Sequence, residues 1–79
     1  MNAARPIKTP CISICEMDED SRFCTGCART LREIGGWGSM NDAERDAVLR
    51  QLPARLETLG EKTAEPEAAL RKIKAALAG

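Results

Sequence analysis

Four cysteines are the residues of this chain whose type and spacing suggest chemistry. Cys11, Cys15, Cys24 and Cys27 form the pattern C-x3-C-x8-C-x2-C. Each pair spans a tight turn, so its two sulfurs can converge on one ion. The eight residues between the pairs are enough to fold the second back onto the first. Two converging pairs give the tetrahedral sulfur set that suits zinc or iron. The second pair, Cys24-Thr25-Gly26-Cys27, falls where a helix is expected to start. Free backbone N–H groups and the helix dipole there favour thiolate over thiol. Gly26 lets the backbone approach a sulfur with no side chain in the way. Arg22, Arg29, Arg32 and Lys8 lie close in sequence and can offset the charge of four thiolates. The acidic run Asp18, Glu19, Asp20 opposes that balance and is expected to face solvent.

Two disulfides would suit a secreted mini-protein. The opening MNAARPIKTP is polar and holds two prolines, where an export signal needs an apolar stretch. A reducing cytoplasm is therefore the expected compartment, and clustered cysteines there are metal ligands. A thioredoxin-like redox pair needs a strand-and-helix scaffold that the pattern does not supply. Redox-inert structural zinc is the leading assignment for a small four-cysteine module. An iron–sulfur cluster accepts the same four ligands at an equal formal charge and stays as the alternative. The chain has no His, so no Ser/His/Asp set is possible, and it has no glycine-rich phosphate loop. Glu33 and Glu44 read as helix-surface and capping groups. The expectation is a non-enzymatic metal-binding module acting through a protein partner. Twelve basic and twelve acidic residues cancel, which gives no general pull toward nucleic acid or an anionic membrane. A zinc knuckle that binds nucleic acid is the further alternative. No segment approaches the length of a membrane span.

Seventy-nine residues with one Trp, one Phe and no Tyr leave little material for a core. Chains this short often need a staple such as a metal. The expected fold is a small, mostly-α, metal-stabilised domain: a four-cysteine knuckle, a short helix, then a helix pair. Residues 1–9 read as an extended arm, 10–59 as the four-cysteine domain and 60–79 as a C-terminal helical extension. The stretch EMDEDSRF suits an exposed hairpin-like turn. A first helix is expected over residues 25–34, with Ala28, Leu31 and Ile34 on one face and Gly35 and Gly36 as its stop. Trp37 follows in a loop and is expected to cover the mini-core against Leu31 and Ile34. Arg29 and Arg32 read as a solvated helix face. A second helix begins at Asn41, whose spacing to Glu44 is that of a capping box. Its stripe is Ala47, Val48, Leu52 and Leu56, widened by Leu49 and Leu59, and Pro53 either kinks it or starts a new turn. After the break at residues 60–66 (GEKTAEP), residues 67–77 read as a third helix with Leu70, Ile73 and Leu77 inward. That narrow stripe leaves open whether the helix packs or projects.

Across Pro10 to Leu49 several residues recur in a specific order: P-C-x3-C, an acidic turn, C-x-G-C-x-R-T, E-I-x-x-W, then M-x-x-x-E-R. Pro10, the four cysteines, Gly26, Arg29, Thr30, Glu33, Ile34, Trp37, Met40, Glu44 and Arg45 fill it. In this the chain resembles the domain-of-unknown-function 1289 (DUF1289) family of small four-cysteine bacterial proteins. Members are commonly labelled predicted iron–sulfur proteins, so the resemblance implies a metal centre on these cysteines and carries no established activity. Residues 60–79 lie outside it.

Overall fold

The long central helix is set by chemistry at its two ends. In the computed structural model, which describes residues 7–78, helix α2 spans Asp42–Leu59. Asn41 and Glu44 form the expected reciprocal cap: the Glu44 N–H donates to Asn41 Oδ1 at 2.8 Å and the Asn41 N–H to Glu44 Oε1 at 2.9 Å. At the other end Gly60 takes φ 54°, a left-handed conformation that glycine adopts without strain. Pro53 sits inside α2 and does not end it. Val48, Leu49, Leu52, Leu56 and Leu59 form the buried face, and Leu49 and Leu52 are fully enclosed. Ala47, expected on that stripe, is exposed.

Helix α3, Pro66–Ala78, starts on a proline, whose missing N–H is no loss in a first turn. It packs on α2 and does not project. Ala69, Ile73 and Ala76 are its buried residues, while Leu70 is exposed and Leu77 half-buried. Two alanines flanking Ile73 bring the α3 backbone close to the leucines of α2, so the inward face is rotated from the one that the larger side chains suggest.

Helix α1 is shorter and later than expected, at Leu31–Gly36. The helix cannot begin at residue 25 because Cys24–Cys27 close a turn and Ala28 follows in a left-handed conformation, φ 67°. It begins instead at a second capping box: Thr30 Oγ1 accepts from the Glu33 N–H at 3.1 Å, and Glu33 Oε1 accepts from the Thr30 N–H at 2.8 Å. Gly35 and Gly36, expected to stop the helix, form its last turn, and a 3-10 turn at Trp37–Ser39 leads on to Asn41. Leu31 points outward and is 67% exposed.

Among the described residues the protein is small and mostly helical, with three α-helices. One buried cluster joins Trp37 and Ala28 to the inner faces of α2 and α3, with Phe23 and Met40 at its margin. Before α1, residues 17–30 fold as two successive hairpin-like turns that share residues 23–24, with antiparallel pairs Met17–Cys24 and Phe23–Thr30. The Asp18 N–H donates to the Phe23 carbonyl at 2.8 Å, and the Asp18 carboxylate accepts from the N–H and hydroxyl of Ser21. Most of the expected arm, residues 1–6, lies outside the described residues.

Candidate metal centre

The Cys24–Cys27 turn is held from three sides. Within it the Ala28 N–H donates to the Cys24 carbonyl at 2.7 Å, and the Cys24 N–H donates to the Arg29 carbonyl at 2.8 Å. On one flank the Thr25 N–H donates to the Glu16 carbonyl at 2.7 Å. On the other, the Ala64 N–H from the segment between α2 and α3 donates to the Thr25 carbonyl at 3.0 Å. Gly26 is pressed against Ile14, which leaves no room for a side chain.

Both sulfurs of this turn are interior, Cys24 at 1% exposure and Cys27 at 2%. Burial raises the Cys24 pKa, but the backbone N–H groups of Cys27, Gly26 and Glu16 and the Cys27 side chain outweigh it, leaving the pKa below its ordinary value. In its protonated form the Cys24 thiol donates to the Ile14 carbonyl at 3.3 Å. For Cys27 burial prevails and pushes the thiol up, against the opposing pull of Arg29. The Arg29 Nε–H donates to Cys27 Sγ at 3.2 Å, and the guanidinium carbon lies 4.7 Å from the centroid of the Trp37 ring. The Trp37 indole N–H donates to the Lys8 carbonyl at 2.7 Å, which docks the chain just ahead of Cys11.

The other two cysteines are placed differently. Cys11 is half-buried, and its sulfur accepts from the Ser13 N–H at 3.3 Å, with Ser13 at φ 66°. Cys15 is exposed. Among the described residues no three or more Cys, Asp or Glu side chains stand close enough to share an ion. The structure therefore joins Cys24 to Cys27 and leaves Cys11 and Cys15 apart from them. The two segments nevertheless touch, since Ile14 and Glu16, the neighbours of Cys15, both contact the Cys24–Gly26 turn. As a donor set, the Cys24–Cys27 half suits a soft metal: two adjacent sulfurs, fixed by backbone and faced by N–H groups. A four-sulfur site also requires Cys11 and Cys15 to turn inward.

Several residues take roles that their sequence positions did not indicate. Arg29, expected to be solvated, is 4% exposed, whereas Arg32 is at the surface. Trp37 is buried as expected, yet it is covered by Arg29 and the α2–α3 cluster and not by the outward-facing Leu31. Lys8 pairs with Asp46 at 2.6 Å and so does not serve the sulfurs. Glu19 and Asp20 face solvent as expected, but Asp18 is largely enclosed, and Lys62 reaches both it and Asp20. Arg55 bonds Glu33 at 2.6 Å and the Ala28 carbonyl at 3.3 Å while lying over Phe23. The Thr30–Glu33 cap had a readable signal, T-x-x-E; Arg55 had none.

The order of cysteines, Arg29, Trp37 and the α2 cap has a counterpart beyond this chain. A family model described as protein of unknown function (DUF1289) matches residues 9–56. The chain belongs to the DUF1289 family. All four cysteines, Arg29 and Trp37 fall inside the DUF1289 region, and α3 falls outside it. The chain is similar to the uncharacterized protein YdhL of Escherichia coli K12 and to YdhL of Shigella flexneri, 43% identical to each over 51 residues. Those residues are 65% of this chain and 63% of either relative, so the chain spans less than two thirds of their length. No solved structure matches it. Among the described residues no helix is long and apolar enough to cross a membrane.

Proposed function

We propose that this DUF1289 protein is a non-enzymatic metal-binding module, with Cys11, Cys15, Cys24 and Cys27 as thiolate ligands to one structural zinc ion, and that it acts through a protein partner. The observation that carries this reading is the Cys24–Cys27 turn, whose buried sulfurs lie side by side among inward-facing N–H groups. Such groups stabilise sulfur as thiolate, the form that binds metal. The spacing of Cys11 and Cys15, and the contact of Ile14 and Glu16 with the turn, support the first pair as the other half. The partner reading is supported by Leu31, which lies exposed at a groove of about 510 Å³ that it lines with Met17 and Arg22.

The test is purification without air from cells given both iron and zinc, followed by metal and acid-labile sulfide analysis. One zinc per chain and a colourless protein are expected. Stoichiometric sulfide with a broad visible band would overturn zinc in favour of an iron–sulfur centre, and a metal-free protein would overturn both.

A further inference from the structure

Residues 7–13 run beside one flank of α3, and a groove lies along their junction. It consists of two hollows of about 410 and 330 Å³, and Lys72 and Ala75 line both. The charged residues of the lining are Lys8, Arg71 and Lys72, all cations. Lys8 is paired with Asp46, whereas Arg71 and Lys72 are exposed and make no ion pair among the described residues. In a chain of zero net charge this is a local excess of positive potential. Much of the remaining lining is aliphatic, with Ile7 49% exposed and Ile12 half-buried. Residues 7–13 make no backbone–backbone hydrogen bond among the described residues, so their peptide groups are left to side chains, water or a second chain.

We propose that this groove docks an acidic, aliphatic segment of a partner protein in extended form, with its carboxylates paired to Arg71 and Lys72. Cations beside aliphatic side chains, along a backbone without a partner strand, are the means by which a protein takes up an extended peptide. Nucleic acid calls for more phosphate-binding cations and an aromatic face for the bases, and no aromatic residue lines the groove. The proposal rests on the partner reading above only in expecting a protein. The surface shares no lining residue with the groove at Leu31, and its occupant needs no metal.

The test titrates the full nitrogen-15-labelled chain with an acetylated, amidated peptide of sequence SELEVES and with its lysine counterpart SKLKVKS. The acidic peptide should shift the amide resonances of residues 7–13 and 68–76, and its binding should weaken with added salt. The lysine peptide should leave them unmoved. An Arg71→Glu, Lys72→Glu double variant, with helix content unchanged by circular dichroism, should bind SELEVES at least about tenfold more weakly. Leu31→Asp should bind it as wild type does, which separates this surface from the one at Leu31. Shifts confined to other residues overturn the proposal, as does a folded double variant that binds as tightly as wild type. Tighter binding of single-stranded oligothymidylate or of phosphatidylserine vesicles at the same residues overturns it in favour of a nucleic acid or a membrane. Shifts there that grow with protein concentration alone overturn it in favour of a second copy of the chain. In each of those cases the partner reading at Leu31 still stands to be tested by its own variant.

Discussion

A Cβ added to Gly26 would lie 2.5 Å from the Ile14 carbonyl oxygen and 3.0 Å from Ile14 Cβ, closer than real side chains come. The neighbour is backbone and cannot swing aside. Gly26→Ala should therefore push residues 14–16 away from the cysteine turn and lower stability by about 1–3 kcal/mol, the range for overpacking. Denaturant unfolding reads the loss, and wild-type stability in this variant would show that the two segments are not pressed together. Trp37 is a second single-residue test. Its buried ring should emit at short wavelength, and Trp37→Ala should lower stability by about 3–5 kcal/mol, as for other large core aromatics. Long-wavelength emission from the native protein would mean an exposed ring.

Helix α1 has six residues and no buried ones, so its own packing cannot hold it. It is held by its ends and by one bridge. Glu33 closes the cap at Thr30 and also receives Arg55 from α2, tying the two helices together. Burial raises the Glu33 pKa, but the Arg55 donors and the Thr30 N–H bring it below its ordinary 4.5. A folded-state pKa below the unfolded one gives stability that is complete above the unfolded value and is lost as pH falls through the folded value. Glu33→Gln should accordingly be less stable than wild type by roughly 1–2 kcal/mol at neutral pH. The gap should close on acidification below 4.5. A gap that stays constant from neutral to acid pH would rule out the ion pair as its source.

At the scale of the whole molecule, the part outside the DUF1289 region belongs to the same core as the part inside it. Ile73 of α3 is enclosed in the cluster that holds Leu49 and Leu52, the Ala64 N–H bonds the Thr25 carbonyl, and Lys62 reaches Asp18 and Asp20. Ile73→Ala should therefore cost about 2–5 kcal/mol, as much as Leu49→Ala, because both open a cavity in one shared core. Thermal unfolding followed at the helices and at Trp37 should remain a single transition in wild type. An Ile73→Ala protein with the wild-type midpoint would show α3 to be a loosely attached tail.

What the sequence determined alone is what depends on near neighbours. The Asn41–Glu44 cap, the presence of three helices, the hairpin-like acidic turn and most of the core face of α2 all rest on residues within a few positions of each other. Each was legible because capping and helical periodicity are local physics. Where local signals conflicted, the sequence was less informative. Ala28, Leu31 and Ile34 carry a helical apolar spacing, but the closed cysteine turn and the left-handed Ala28 override it before residue 30, so α1 starts at the next available cap. The tertiary structure alone decided the long-range pairings. Arg29 lies in the interior because the Trp37 ring and the Cys27 sulfur meet there. Arg55 reaches back to Glu33 across 22 positions, and α3 turns its alanines inward because close approach to α2 encloses more than an outward Leu70 would. None of these contacts has a sequence period: Arg55–Glu33 and α3 on α2 join residues far apart along the chain, and Arg29, though near Cys27 in sequence, is buried only where the Trp37 ring and the core close over it.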